Sequence, residues 1–201
     1  MASIVGIVNL ALKNIGATRI SSLTSGEKNA VSASLIYDEH RQNLLRGHNW
    51  NFAQTDVKLA RRPTDPIIGF EYAYSLPSNW LRTVDCYDNA SGIGSADYVE
   101  RDGAIFANSE NIWMSYVFDC TDPNRMTADF RMALASDLSI VLAIDIAQSN
   151  TLHESWKKQA IKDLIKAKSS DAQGSAPDVR PSGSWVNARN GWRRPRQTTT
   201  S

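Results

Sequence analysis

The chain is poor in the residues that usually advertise chemistry. Its 201 residues include 2 cysteines and 3 histidines. Cys86 and Cys120 are too few to form a disulfide framework and have no CxxC spacing. A single disulfide and two free thiols in a reducing compartment both fit. As zinc or redox ligands they find no partner in the sequence, so buried thiols are expected. His40, His48 and His153 pair with neither each other nor cysteine at metal-ligand spacing. Capping or solvated roles are expected for His40 and His48, which flank the end of the second helix.

Long apolar runs are also missing. Leu134 to Ala147 contains Asp137 and Asp145 and is shorter than the roughly 20 residues of a bilayer span, so no membrane helix is expected. Nothing basic precedes the apolar stretch Ile4 to Leu12, and Asn9 and Lys13 interrupt it, so it does not read as a secretory signal. Charge of one sign is lacking too: 22 Lys+Arg against 21 Asp+Glu leave +1. That balance excludes a generally basic nucleic-acid binder and leaves room for a local patch.

Catalytic motifs are absent as well. There is no GxSxG, Walker loop or HExxH. Gly92-Ile93-Gly94 begins like a dinucleotide fingerprint, but Asp97 stands where the third glycine belongs and the surroundings are turn-rich, so a loop is expected. Asp85, Asp88 and Asp97 read as turn acids that accept backbone hydrogen bonds. A hydrolase built on Asp85 or Asp88 would lack a nameable base, nucleophile or oxyanion donor, and no enzyme activity is expected. Asn89-Ala90-Ser91 fits a glycosylation sequon, which means little without a secretory signal. No cofactor and no metal site is expected.

What is present is a soluble globular composition, 42% apolar and 21% charged. Ile4, Ile7, Val8, Ala11, Leu12 and Ile15 recur at helical spacing between Ser3, an N-cap, and Gly16, a stop. Thr24 and Glu27 read as a capping box for a second helix through Ala30, Ala33, Tyr37, Leu44 and Leu45 to Gly47. The two should form an αα-hairpin. From Trp50 to Phe118, short β-rich runs alternate with turn residues, and Asp102-Gly103 is a hairpin signal because both turn positions need positive φ. A small, mainly antiparallel sheet is expected there. Helical period returns at Phe130, Leu134, Leu138, Val141, Leu142 and Ile146, a helix buried on most sides. A fourth helix follows from Asn150 or Thr151, with Lys157, Lys158, Lys162, Lys166 and Lys168 exposed.

The expected fold is therefore α+β: a four-helix bundle from residues 1–49 and 121–168, with an antiparallel β domain, 50–120, inserted between helices 2 and 3. An extended C-terminal arm, 169–201, completes it. The arm has 5 Arg and 2 Asp, +3 against −2 for the rest, and no apolar period. Its composition cannot offset its ordering entropy, so it is expected to be disordered until bound. Trp185, Arg189, Trp192, Arg193, Arg194 and Arg196 interleave aromatic and guanidinium groups suited to a protein groove or to phosphates, and Val179 and Val186 add apolar anchors. Leu76 to Trp80 reads as a tight turn packing Leu76, Trp80 and Leu81 between sheet and helices.

Several of these residues together resemble a known family, the tail tubular protein A or head-to-tail adaptor of short-tailed bacteriophages. The resemblance rests on Leu12–Gly16 with Ile20–Leu23, Tyr37–Arg41 (YDEHR), Trp50–Ala53 (WNFA) and Tyr72–Arg82 (YAYSLPSNWLR). It continues through Asp129–Ala147 and Asp171-Ala172. It implies a structural virion protein in the neck, assembled in the host cytoplasm. Such a protein forms a homo-oligomeric ring, implied to be dodecameric, docked on the portal protein and joined to the tail tube or nozzle protein. Genomic DNA would pass through the lumen without sequence-specific binding, and no membrane partner is implied. Family arms reach up to grip the portal, so Val179, Trp185, Val186, Arg189, Trp192, Arg193, Arg194 and Arg196 are the expected portal contacts. Extended, 33 residues span on the order of 110 Å. The alternative from a different class is a small nucleic-acid-binding module using the Arg/Trp tail.

Overall fold

The computed structural model describes residues 1–64, 66 and 68–174. Over these the chain is α+β, with four α-helices and two antiparallel sheets. Helices α1 (Ile4–Asn14) and α2 (Lys28–Arg46) come first, then a 3-10 turn at Asn51–Ala53. Seven strands follow: β1 (Gln54–Lys58), β2 (Ala60–Arg61), β3 (Tyr72–Ser75), β4 (Trp80–Tyr87), β5 (Tyr98–Arg101), β6 (Ala104–Ala107) and β7 (Trp113–Phe118). Helices α3 (Ala128–Asp145) and α4 (Asn150–Gln173) close the described chain.

The Ser3 hydroxyl accepts the Gly6 N–H at 3.0 Å, capping α1, and Gly16 leaves the helix at φ +72°. The Thr24–Glu27 capping box does not form. Glu27 precedes α2 without a side-chain cap, while Thr24 donates its N–H to Ser22 Oγ at 3.1 Å and shares a 2.7 Å hydroxyl bond with it. A local serine–threonine turn has won the competition for those groups. The αα-hairpin is corrected too: α1 lies mainly on α3 and barely meets α2. Ser139 on α3 meets α1 directly, accepting the Asn14 amide N–H at 3.0 Å, and Leu134, Leu138 and Leu142 of α3 are fully buried. Each such leucine contributes roughly 1.5–3 kcal/mol.

The β-rich middle is two sheets rather than one. The first has order β1-β7-β4 and the second β2-β3-β6-β5, every pair antiparallel. The chain changes sheet at Leu59, whose N–H donates to Ile112 O at 2.9 Å and whose side chain is buried. Asp102 (φ 51°) and Gly103 (φ 61°) make the expected β5–β6 turn. One core cluster runs from Val8 and Leu12 through Trp50 and Phe130 into Ile105, Met114 and Val117, so helices and sheets share it. On the other face of the second sheet, Ala73, Ala104 and Phe106 form a minor cluster under Phe70.

Helix α4 continues through 169–173, which the sequence reading assigns to the arm. No helix among the described residues is long and apolar enough to cross a membrane.

Candidate functional site

The expected portal contacts, Val179, Trp185, Val186, Arg189, Trp192, Arg193, Arg194 and Arg196, lie outside the described residues. What the structure does describe is the base from which that segment departs, the end of α4.

Helix α4 begins where the Ser149 hydroxyl accepts the Leu152 N–H at 3.3 Å. It is seated by polar contacts that its surface-like sequence conceals. Ser136 Oγ donates to Asp163 at 2.6 Å, Trp156 Nε1 donates to Asn14 O at 3.1 Å, and His153 Nδ1 lies 2.9 Å from Ile140 O. At its far end Asp171 is buried. The Asn51 N–H donates to both Asp171 carboxylate oxygens at 3.2 Å, and Asn51 Nδ2 donates to Asp171 O at 2.7 Å. His48 Nε2 stands 3.4 Å from the same carboxylate, and Lys168 Nζ donates to Gly47 O at 3.1 Å. Burial lowers the His48 pKa below its usual value, with Lys168 and Arg82 acting the same way and Asp171 opposing them. His48 is thus neither a cap nor simply solvated, as its position suggested; it is packed edge-on against Trp50, 4.8 Å between ring centroids.

Trp50, packed on His48, carries this lock into the core, and a second set of motif contacts forms around Arg41. Trp50 donates its indole N–H to Leu44 O at 2.9 Å and meets Phe130 edge-on at 4.9 Å. Phe52 meets Phe130 at 5.0 Å. Arg41, 2% exposed, donates to Asp119, to Asp38 at 2.9 Å and to Cys120 O at 3.1 Å. Burial works against its charge, but the hydrogen bonds and attraction of Asp119 and Asp38 prevail and raise its pKa. Asn79, in the turn closed by Trp80 N–H to Pro77 O at 3.0 Å, accepts the Asp119 N–H at 2.7 Å and the Tyr116 hydroxyl at 3.1 Å. The Tyr37–Arg41, Trp50–Ala53 and Tyr72–Arg82 motifs, together with Asp171, therefore furnish the contacts that join helices, first sheet and the end of α4. His40 bridges α2 to Asp137 of α3 at 2.6 Å.

The residues considered for chemistry are placed otherwise. Cys86 and Cys120 are buried free thiols, and burial pushes Cys86 up to about 12. Asp85 accepts the Cys86 N–H at 2.8 Å and the Ser95 hydroxyl at 2.6 Å, as a turn acid would, while Asp88 accepts an Asn89 amide N–H. Gly92-Ile93-Gly94 is a loop with both glycines at positive φ. Among the described residues, no three His, Cys, Asp or Glu side chains are grouped to hold a metal. A shallow cavity of about 270 Å³ opens between Tyr87, Trp113, Asp56 and the 89–92 loop.

The outer side of α4 has a different character. Five of the chain's eight lysines lie on this helix, and Ile161 and Ile165, one turn apart, are 57% and 63% exposed among them. No family model and no curated protein matches this chain.

Proposed function

We propose that the chain is a structural head-to-tail adaptor of a short-tailed bacteriophage. It acts as a ring subunit, dodecameric by resemblance, that joins the portal protein to the tail tube or nozzle protein and lets DNA through its lumen. In this reading the four helices are a bundle, the two sheets are an insertion between α2 and α3, and the arm after α4 grips the portal. The observation that carries it is the lock at Asp171. There two of the motifs behind the resemblance, Trp50–Ala53 and Asp171-Ala172, meet across 120 positions of chain where the arm leaves the body, and a strap that bears load needs a fixed base. Asn51, His48 and Lys168 supply that base by tying α4 to residues 47–51.

The test is electron microscopy of the full chain mixed with purified portal rings of the virus that encodes it. Rings seated on the portal are expected, and a chain truncated after Gly174 should keep its fold and lose the portal. Truncation there spares Asp171. A truncated chain that docks normally would overturn the arm's role.

The nucleic-acid reading is favoured by one observation, the exposed lysines 157, 158, 162 and 166 on the helix that leads into the Arg/Trp segment. It requires duplex binding that weakens steeply as salt rises. Retention unchanged between about 50 and 200 mM salt refutes it.

A further inference from the structure

Two surfaces of this chain are opposite in charge and alike in apolarity. On α4, Lys157, Lys158 and Lys162 surround the exposed pair Ile161 and Ile165. Lys166 is engaged by Asp129 at 3.2 Å and Lys168 by the Gly47 carbonyl. The other three make no ion pair among the described residues. Elsewhere, residues 85–102 carry five carboxylates and a single cation, Arg101, which stacks on Phe106 at 4.5 Å. Of the carboxylates, Asp88, Asp97 and Glu100 are exposed and make no ion pair among the described residues. In their midst Ile93 is 76% and Val99 41% exposed.

The acidic surface is also shaped in advance. The Asn89 amide accepts the N–H groups of Ser91 and Ile93 at 3.1 and 3.3 Å and donates to Ile93 O at 2.9 Å, holding the loop that presents Ile93. A loop already ordered loses little freedom on docking.

We propose that the outer face of α4 docks on the 88–99 surface of a second copy of this chain, Ile161 and Ile165 meeting Ile93 and Val99 inside a ring of Lys–carboxylate pairs. Pairing α4 with α4 would bring three lysines against three lysines, and the acidic surface repels itself likewise, so a two-fold dimer is disfavoured on both sides. What remains is a heterologous contact, and repeated head to tail it closes a ring or extends a filament. A polyanion would satisfy the lysines but would bury two isoleucines against phosphate for no apolar return. This inference rests on the ring reading and names the two faces that a ring requires.

The experiment places cysteines at Ile165→Cys and Ile93→Cys in separate full-length chains, mixes them with portal rings of the encoding virus, and oxidises with copper phenanthroline. The buried Cys86 and Cys120 stay out of the reaction. Unlike chains are expected to cross-link to each other, like chains not to themselves, and a chain with both cysteines to give a ladder. Lys158→Glu with Lys162→Glu should weaken assembly about tenfold or more, and Asp88→Lys with Asp97→Lys in that chain should restore it.

Rings on the portal without the 93–165 cross-link overturn the interface and leave the adaptor reading standing. Like-to-like cross-links overturn it in favour of an isologous contact. A ladder that never attaches to the portal upholds the contact and overturns the adaptor reading, and neither ring nor ladder overturns both. Cross-linking abolished by duplex DNA that the double Lys→Glu chain no longer retains assigns the face to phosphate and overturns the contact.

Discussion

Replacing Arg41 by methionine should be among the most damaging single changes in the body of this protein. Methionine keeps most of the aliphatic stem and removes the guanidinium. Asp38 loses little, because its side chain is 72% exposed and water takes over. Asp119 is different: it is 21% exposed and, among the described residues, retains only the Gln42 amide, 2.9 Å away, as a side-chain donor. The Cys120 carbonyl loses the guanidinium donor at 3.1 Å. Removing one partner of a buried pair costs about 3–5 kcal/mol, and an orphaned buried carbonyl about 1–3. Because Asp119 is partly exposed, water replaces part of the lost pairing, which brings the total below the sum of those ranges, to about 3 kcal/mol.

Urea unfolding followed by far-ultraviolet dichroism reads this directly. With m about 2 kcal/mol/M for a domain of this size, the midpoint should fall by about 1.5 M at unchanged m. Arg41→Lys keeps charge without the fork and should lose about half as much. A cycle with Asp119→Asn should return a coupling of about 2 kcal/mol. A midpoint shift for Arg41→Met below about 0.25 M, or a coupling within error of zero, would refute the claim that this pair holds α2 to the end of β7.

Further outcomes follow from the same contacts. Neither thiol should react with Ellman's reagent at pH 8 in the folded chain, and both should react in denaturant, since Cys86 and Cys120 are buried; one fast native thiol would contradict the packing. His48 is depressed by burial, so the unfolded chain binds its proton more readily. Its contribution is full above the unfolded value of about 6.5 and is lost as pH falls from there through the folded value; His48→Gln should flatten that part of a stability-versus-pH curve. Gly103→Ala meets no atom within 4 Å yet must hold φ +61°, so it should cost about 1 kcal/mol in urea unfolding from backbone strain alone. Asp171→Ala should speed amide exchange in the last turns of α4 by about tenfold or more, with little change in the sheets; uniform exchange would dissolve the lock.

Local signals in the sequence were legible where the physics is local. Ser3, Gly16 and Asp102-Gly103 do what their types demand, because a cap or a turn is decided within four residues. Helical period located α3 and its buried faces for the same reason. The Thr24–Glu27 box misled because Ser22, two residues earlier, offered Thr24 a nearer partner. The split into two sheets was hidden, since strand pairing such as Gln54 with Val117 spans most of the β region and leaves no trace in spacing.

Asp171 marks the same limit more sharply. In sequence it is one more acid at the end of a Lys-rich helix, and nothing nearby says it is buried. Its donor is Asn51, 120 positions away, and its neighbour His48 looks like a helix-end residue. A carboxylate in a helix's last turn opposes the negative end of the macrodipole, so this position is electrostatically poor for α4 taken alone. It is retained at a cost to the helix that is offset only through contacts with another part of the fold. The cost makes sense if α4 must end in a fixed direction, since an apolar residue there would pack without specifying an angle, whereas an aspartate whose carboxylate meets a backbone N–H and an imidazole admits one geometry. Fixing that angle fixes both things α4 offers: the point from which residue 175 onward departs, and the orientation of the Ile161–Ile165 face toward whatever lies beside it.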